Sequence, residues 1–265
     1  MGVKFLPKTM LMEMTWSEVK EALKETNVAI IPVGSIEQHG LHLPLGTDYF
    51  QAIELAKRVA EKTAALVAPV ILCGHSQHHM GFPGTISLKP ETLAQVIFEA
   101  CQSLGRHGLN KIIILNTHGG NDVACSFAAQ KVNTELDASA VFFGAESFMK
   151  HIPPNLIETI DLHAGVDETS SMLVLNPEKV RLERARKPKI TLPPKLQLIV
   201  KELKKDPSLI RLILADLPML HEISDTGSLV LGNPADGEKC VEETRKRIEE
   251  TVDEIVNFVK EWKKT

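Results

Sequence analysis

The chain is poor in cysteine and in net charge, and it lacks long apolar runs. Its four cysteines, Cys73, Cys101, Cys125 and Cys240, are scattered, with no Cys-x-x-Cys among them. That excludes a disulfide framework and a cysteine zinc knuckle, and it predicts reduced thiols in a cytoplasmic protein. A net charge of −4 over 265 residues excludes a global electrostatic case for nucleic acid or an anionic membrane. No apolar stretch is long enough to span a bilayer, and the first residues lack the continuous apolar core of a secretory signal. Neither G-x-x-x-x-G-K-[ST] nor G-x-G-x-x-G is in place for phosphate binding. No internal repeat, low-complexity tract or linker interrupts the chain, so residues 1–265 read as one domain.

What is present is an alternation of strand and helix signals. Thr15, or Ser17, caps a helix over 15–25. Branched residues over 28–33 predict the first strand. Phe50, Ile53, Ala56, Val59 and Ala60 recur at helical spacing within 48–63. A strand over 65–72, a helix over 90–107, a strand over 111–116, a helix over 123–137 and a strand over 140–144 follow. The segment from Asp161 reads as a loop entering a helix, and 181–194 as a basic, Pro-rich surface excursion. Residues 196–217 fit either one helix broken at Pro207 or an insertion over the active site. A loop with three glycines, 225–237, leads to a last amphipathic helix over 238–264. Its inner stripe would hold Cys240, Ile248, Val252, Ile255, Val256 and Val259. This order predicts an α/β fold with a mostly parallel sheet covered by helices on both faces.

Seven of the ten histidines lie in the loops of this pattern. Glu37, His39, His42 and Asp48 follow the first strand. Parallel α/β sheets collect their chemistry beyond the carboxyl ends of strands. Glu37 and His39 are two apart, so in extended backbone they leave on the same face. Asp48 opens a helix, where a carboxylate is favoured. His118 follows the 111–116 strand, and Glu168 lies in the loop that enters a later helix. Carboxylates neutralise divalent ions, and imidazole adds affinity for zinc, manganese or iron over magnesium. A carboxylate such as Asp48 can bridge two metals, and such a pair lowers the pKa of a shared water. His163, in a loop with Gly165, is the candidate proton shuttle for a leaving amide nitrogen. Thr117, Gly119 and Gly120 allow close approach of a substrate to backbone amides, and Ser76, His79 and Thr85 add polar contacts. Asn116 and Asn121 are placed to orient ligands by hydrogen bonds. His42, His75 and His78 are open between pocket and plain loop, while His107, His151 and His221 read as surface or structural residues.

At these residues the sequence resembles the creatininase (creatinine amidohydrolase) family. The motifs are V-G-S-I-E-Q-H-G-L-H-L-P-L-G-T-D, G-H-S-Q-H-H-M-G-F-P-G-T-I-S-L, N-T-H-G-G-N and H-A-G-V-D-E-T-S. The resemblance implies a three-layer α/β/α sandwich around a mainly parallel sheet. It implies two divalent ions per subunit and hydrolysis of C–N bonds in small cyclic amides or formamides. It also implies a homo-oligomer, commonly a hexamer. By position, Glu37, His39, Asp48 and His118 match the family's metal ligands, and His163 its catalytic histidine. The chain departs from members acting on creatinine, which carry a glutamate where Gly120 stands and use tryptophans in the pocket. Here Trp16 and Trp262 are near the termini. Glu168 is the candidate for the missing carboxylate. The H-G-G-N form resembles the branches containing iron-dependent archaeal deformylases of flavin and deazaflavin biosynthesis and enzymes that trim a peptide-derived cofactor precursor. The rival readings are a non-catalytic metal- or nucleotide-binding protein on the same scaffold, and a sugar-phosphate or cyclitol-lactone hydrolase attacking an ester.

Overall fold

Four short branched runs build the centre of the molecule. In the computed structural model, which describes residues 8–144, 161–203 and 217–265, these form parallel strands in the order β2-β1-β3-β4. Strand β1 is Val28–Val33, β2 is Leu66–Val67, β3 is Lys111–Asn116 and β4 is Ser139–Phe143. β1 and β3 pair in register along their whole length, from Val28 with Lys111 to Val33 with Asn116. Every residue of β1 is buried, as a strand covered on both faces requires.

The expected strand over 65–72 is shorter than its apolar run. Ala68 N donates to Ile30 O and Ile71 N donates to Pro32 O, so three steps on this chain match two on β1. The extra residue is a bulge at Pro69 and Val70, because Pro69 has no N–H for the ladder. The pairing resumes at Ile71, which bridges to Val33.

The helices are α1 (Trp16–Ala22), α2 (Thr47–Thr63), α3 (Pro90–Arg106), α4 (Asp122–Glu135), α5 (Val166–Leu175), α6 (Pro194–Leu203), α7 (Leu220–Ile223) and α8 (Val241–Trp262). Thr15 caps α1 in a capping box with Glu18. Alternation along the strands decides the layers. Ile30, Ile113 and Leu115 pack with Val59 of α2 and Val252 and Val256 of α8. Ile31, Ile112 and Ile114 pack with Ile97 of α3 and Ala128 and Val132 of α4. The result is a three-layer α/β/α sandwich, with α5 set against α2 and α8.

Two helix boundaries differ from the periodicity. Residues Pro234–Cys240 form a tight 3₁₀ turn, started by Pro234 and capped by Asn233, whose Oδ1 accepts from Ala235 N. Cys240 is therefore the N-cap of α8 and only half-buried, outside the inner stripe; Ile248, Val252, Ile255, Val256 and Val259 are on it. Of 196–217, the first part extends α6, whereas Pro207 and the proposed break fall outside the described residues, as does His151. No described helix is long and apolar enough to cross a membrane.

Candidate metal centre

Three loops at the carboxyl ends of the strands close on one another. After β1, the chain turns through Gly40, whose φ of 65° lies in the left-handed region that suits glycine. Glu37 N donates to Leu45 O and Leu43 N to His39 O, which folds the loop over itself before α2 starts. Asp48 falls in the first turn of α2, where free amides and the helix dipole favour a carboxylate. The loop after β3 is tied to that turn by Thr117 Oγ1, which donates to Asp48 O at 2.8 Å. Asn116 holds the loop's own shape: its Nδ2 donates to His118 O at 2.7 Å and its Oδ1 accepts from His118 N at 3.2 Å. Asn121 bridges the loops, donating to Gly34 O at 3.0 Å and accepting from His75 N at 2.8 Å.

The third contribution comes from the start of α5. Ala164, beside His163, has a φ of 47°, an uncommon conformation for a residue with a Cβ. That turn lets Glu168 Oε2 accept from Ala164 N at 2.5 Å, which fixes the carboxylate toward the pocket. Glu168 Oε2 then stands 3.7 Å from His39 Nε2.

The expected ligands meet. Asp48 Oδ1 is 3.3 Å from His39 Nε2, and Asp48 Oδ2 is 3.4 Å from His118 Nδ1. Glu37 Oε2 is 3.3 Å from His118 Nε2. Two overlapping ligand sets result, Glu37–Asp48–His118 and His39–Asp48–Glu168, each with its donor atoms within 4.8 Å of one another. A third set of the same kind is Glu37, His39 and His163. Eight buried side-chain N or O atoms among the described residues lack a hydrogen bond, and four of them are Glu37 Oε1, Glu37 Oε2, His39 Nε2 and Asp48 Oδ2. Buried polar atoms are ordinarily paired. A cluster of orphaned carboxylate and imidazole atoms is what divalent cations satisfy, so these residues fit such ions.

The electrostatics divide the imidazoles. Burial opposes charge on His39, but Asp48 and Glu168 lift it to about 10. Burial likewise opposes charge on His118, and Glu37 and Asp48 lift it to about 10. Burial works to raise the Glu37 carboxyl, yet His118, His79 and His163 hold it well below the ordinary range. His79 is pushed well down by burial, and His163 is lowered by burial and by His39. His39 and His118 therefore take protons where a cation is absent, and metal binding releases them.

A cavity of about 910 Å³ opens above this cluster. Glu37, Asp48, His118, His163 and Glu168 line it, as do Thr117, Gly119 and His79 from the predicted substrate contacts. Ser76 is placed elsewhere: it is fully buried, with its hydroxyl bonded to Ser35, and is not among the described residues that line the cavity. Leu162, Leu220 and Leu229 form an apolar wall with no signal in the local pattern, because Leu162 is far in the chain from the other two.

His42 and Gln38 were the least legible residues. His42 is buried and lowered to about 4, mainly by burial and by His39. Its Nε2 is 2.7 Å from Thr169 Oγ1. Thr169 Oγ1 donates to Gly165 O at 2.5 Å, so the hydroxyl accepts from His42 Nε2–H. His42 thereby pins the β1 loop to α5. In the sequence His42 is one of the histidines after the first strand, open between pocket and plain loop; its partner Thr169 is remote in the chain.

Gly120 explains the departure from the creatinine-type pattern. A Cβ there would lie 2.4 Å from both His118 Nε2 and His75 O, so no side chain fits without moving a candidate ligand.

Comparison with known proteins agrees with this geometry. A family model described as creatininase, creatinine amidohydrolase, matches residues 12–259. The 3-dehydro-scyllo-inosose hydrolase of Thermotoga maritima is 34% identical over 180 residues, which cover 65% of this chain and 58% of the relative. The aligned stretch thus spans less than two thirds of that relative's length. The creatinine amidohydrolase of Pseudomonas putida is 33% identical over 204 residues, 69% of this chain and 78% of the relative. Among solved structures, a mutant creatininase of Zn–Zn type superposes with a TM-score of 0.77 at 27% identity, over 96% of this chain and 98% of that one. With sheet order, loop motifs and family model in agreement over nearly the whole chain, this protein belongs to the creatininase family.

Proposed function

We propose that the chain is a metal-dependent hydrolase of carbon–nitrogen bonds in a small cyclic amide or a formamide. Its metal ligands would be Glu37, Asp48 and His118 for one ion and His39, Asp48 and Glu168 for the other. The observation that carries the reading is Asp48. Its two oxygens face different imidazoles, Oδ1 toward His39 and Oδ2 toward His118, as a bridging carboxylate requires. The mixed carboxylate and imidazole donors suit zinc, manganese or iron. Divalent ions bound there would polarise an amide carbonyl and lower the pKa of water.

The chain's own groups supply the rest. His163 Nε2 donates to Gln38 O at 2.7 Å, which leaves Nδ1 facing the cluster as the proton-accepting position. That nitrogen takes a proton from the attacking water and delivers it to the departing amide nitrogen. Thr117 and Gly119 line the cavity from the β3 loop and are the candidate substrate contacts. Leu162, Leu220 and Leu229 add apolar lining to the same cavity, which disfavours water there. Gly120 argues against creatinine itself, since the chain has no room there for the glutamate of the creatinine-type pattern.

A second reading, hydrolysis of a cyclitol-derived ring, is favoured by the similarity to the Thermotoga protein. Elemental analysis joined to a screen of cyclic amides, formamides and oxidised inososes separates the two. Turnover of an amide or formamide by metal-loaded protein is expected; turnover confined to inososes would overturn the first reading. A homo-oligomer, hexameric by the family pattern, and a cytoplasmic setting belong to the same proposal. The described cysteines are all free thiols, which suits a reducing compartment.

A further inference from the structure

Gln38 lies between two candidate ligands, and no role follows for it from the metal cluster alone. Its side chain is buried and fixed at both ends. Gly40 N donates to Oε1 at 2.9 Å, and Nε2 donates to Gly227 O at 2.9 Å. A flipped amide would set donor against donor and acceptor against acceptor, so the orientation is determined. The slot itself depends on Gly227, which has a φ of +85°; a Cβ there would lie 2.0 Å from Gln38 Oε1.

Two histidines hang on this residue. Gln38 Nε2 is 3.0 Å from His79 Nδ1. Because that amide nitrogen only donates, His79 Nδ1 accepts, and its proton sits on Nε2. Gln38 O is 2.7 Å from His163 Nε2. Because a carbonyl only accepts, His163 also carries its proton on Nε2, and its Nδ1 is left as a lone pair. The two rings are the same tautomer turned opposite ways. Their centroids are 4.5 Å apart, with planes at 64°.

We propose that Gln38 is a positioning residue that presents opposite edges of two adjacent imidazoles to the metal cluster, the N–H edge of His79 and the lone-pair edge of His163. His79 Nε2 is 3.3 Å from Glu37 Oε1, but that oxygen makes no hydrogen bond, so the N–H is uncommitted within the protein. His79 lines the cavity, and its N–H is a hydrogen-bond donor for a substrate carbonyl or the oxyanion it becomes. His163 Nδ1 is 3.7 Å from the same Glu37 oxygen and can accept a proton. One ring therefore stabilises charge while the other moves protons. The catalytic half of this assignment rests on the hydrolase reading above; the proton positions do not.

The test is ¹⁵N NMR of the full chain labelled at histidine, with signals assigned through His79→Leu and His163→Asn. Metal-free wild type is expected to show His79 with Nδ1 unprotonated and Nε2 protonated. Gln38→Glu puts an acceptor where the amide nitrogen was, so His79 Nδ1 should gain a proton while His163 stays unchanged. A protonated His79 Nδ1 in wild type, or one that stays unprotonated in folded Gln38→Glu, would overturn the proposal. Titration with manganese gives an independent arm. His79→Leu should bind as many ions as wild type, because an N–H edge is no ligand; loss of an ion in that variant would overturn the assignment. With an amide substrate, His79→Leu should lose about 10²-fold in kcat, and His79→Gln, which keeps an N–H near the same place, at least about tenfold less. Equal losses would contradict the donor role. Failure of wild type to bind manganese or zinc would sink the hydrolase reading, while the NMR arm would still decide the proton positions.

Discussion

Ile30 and Glu37 stand seven residues apart and are equally hidden from solvent, at 1% and 0% exposure. Their surroundings differ in kind. Ile30 belongs to the apolar core that α2 and α8 form against the sheet. Glu37 is ringed by His79, His118 and His163, and neither of its oxygens makes a hydrogen bond. The interior of the sheet is buried and satisfied; the rim at its carboxyl end is buried and unsatisfied. The first arrangement stabilises the fold by removing apolar surface from water. The second costs stability until a cation compensates it. A protein keeps such a rim for chemistry.

The largest effect on this contrast should come from Asp48→Ala. The variant is expected to fold but to lose most of its bound metal and turnover, as read by elemental analysis and a kinetic assay. Stoichiometric metal in that variant would break the comparison. His163→Asn should lower kcat by about 10²–10⁴-fold at unchanged metal content. A metal loss in step with the activity would make His163 a ligand instead. On the other side of the contrast, Leu115→Ala, in the sheet interior, should cost about 2–5 kcal/mol in chemical denaturation. Its metal content per folded chain should match wild type.

A pH series sharpens the same comparison. The folded-state pKa values of His39 and His118 are raised, each to about 10, above the unfolded value near 6.5. Their stabilisation is therefore complete below about 6.5 and is lost as pH rises through about 10. Chelator-treated protein should lose thermal stability over that window. Metal-loaded protein should show a flatter profile, because ion-bound imidazoles carry no proton to lose. The smallest effect belongs to the outer surface. Lys62, half-exposed on α2 and paired with Asp253 at 2.8 Å, should contribute less than about 1 kcal/mol, and Lys62→Ala should leave metal content untouched.

Where the sequence signal is local, the structure follows it. The strands over 28–33 and 111–116 have the bounds read from their branched runs, because burial on both faces demands such runs. The apolar pattern over 65–72 overstated β2, because apolarity does not register a missing N–H at Pro69. Glu37, His39, Asp48, His118 and Glu168 were legible as ligand types in glycine-rich loops, and the fold brings them together. Gln38 was not legible, because its partners Gly227 and His79 are remote in sequence and its chemistry is that of an ordinary surface amide. Ser76 reads as a pocket hydroxyl, yet its loop turns it inward to Ser35. Proximity in the chain revealed which groups the site contains; hydrogen bonds across the chain decide which edge each group shows.

Anomalous diffraction from crystals grown with manganese tests the central claim most directly. Two peaks per chain are predicted on either side of Asp48, one beside His39 and Glu168 and the other beside Glu37 and His118. A map without a peak at Asp48, from protein that binds manganese elsewhere or not at all, would contradict the account.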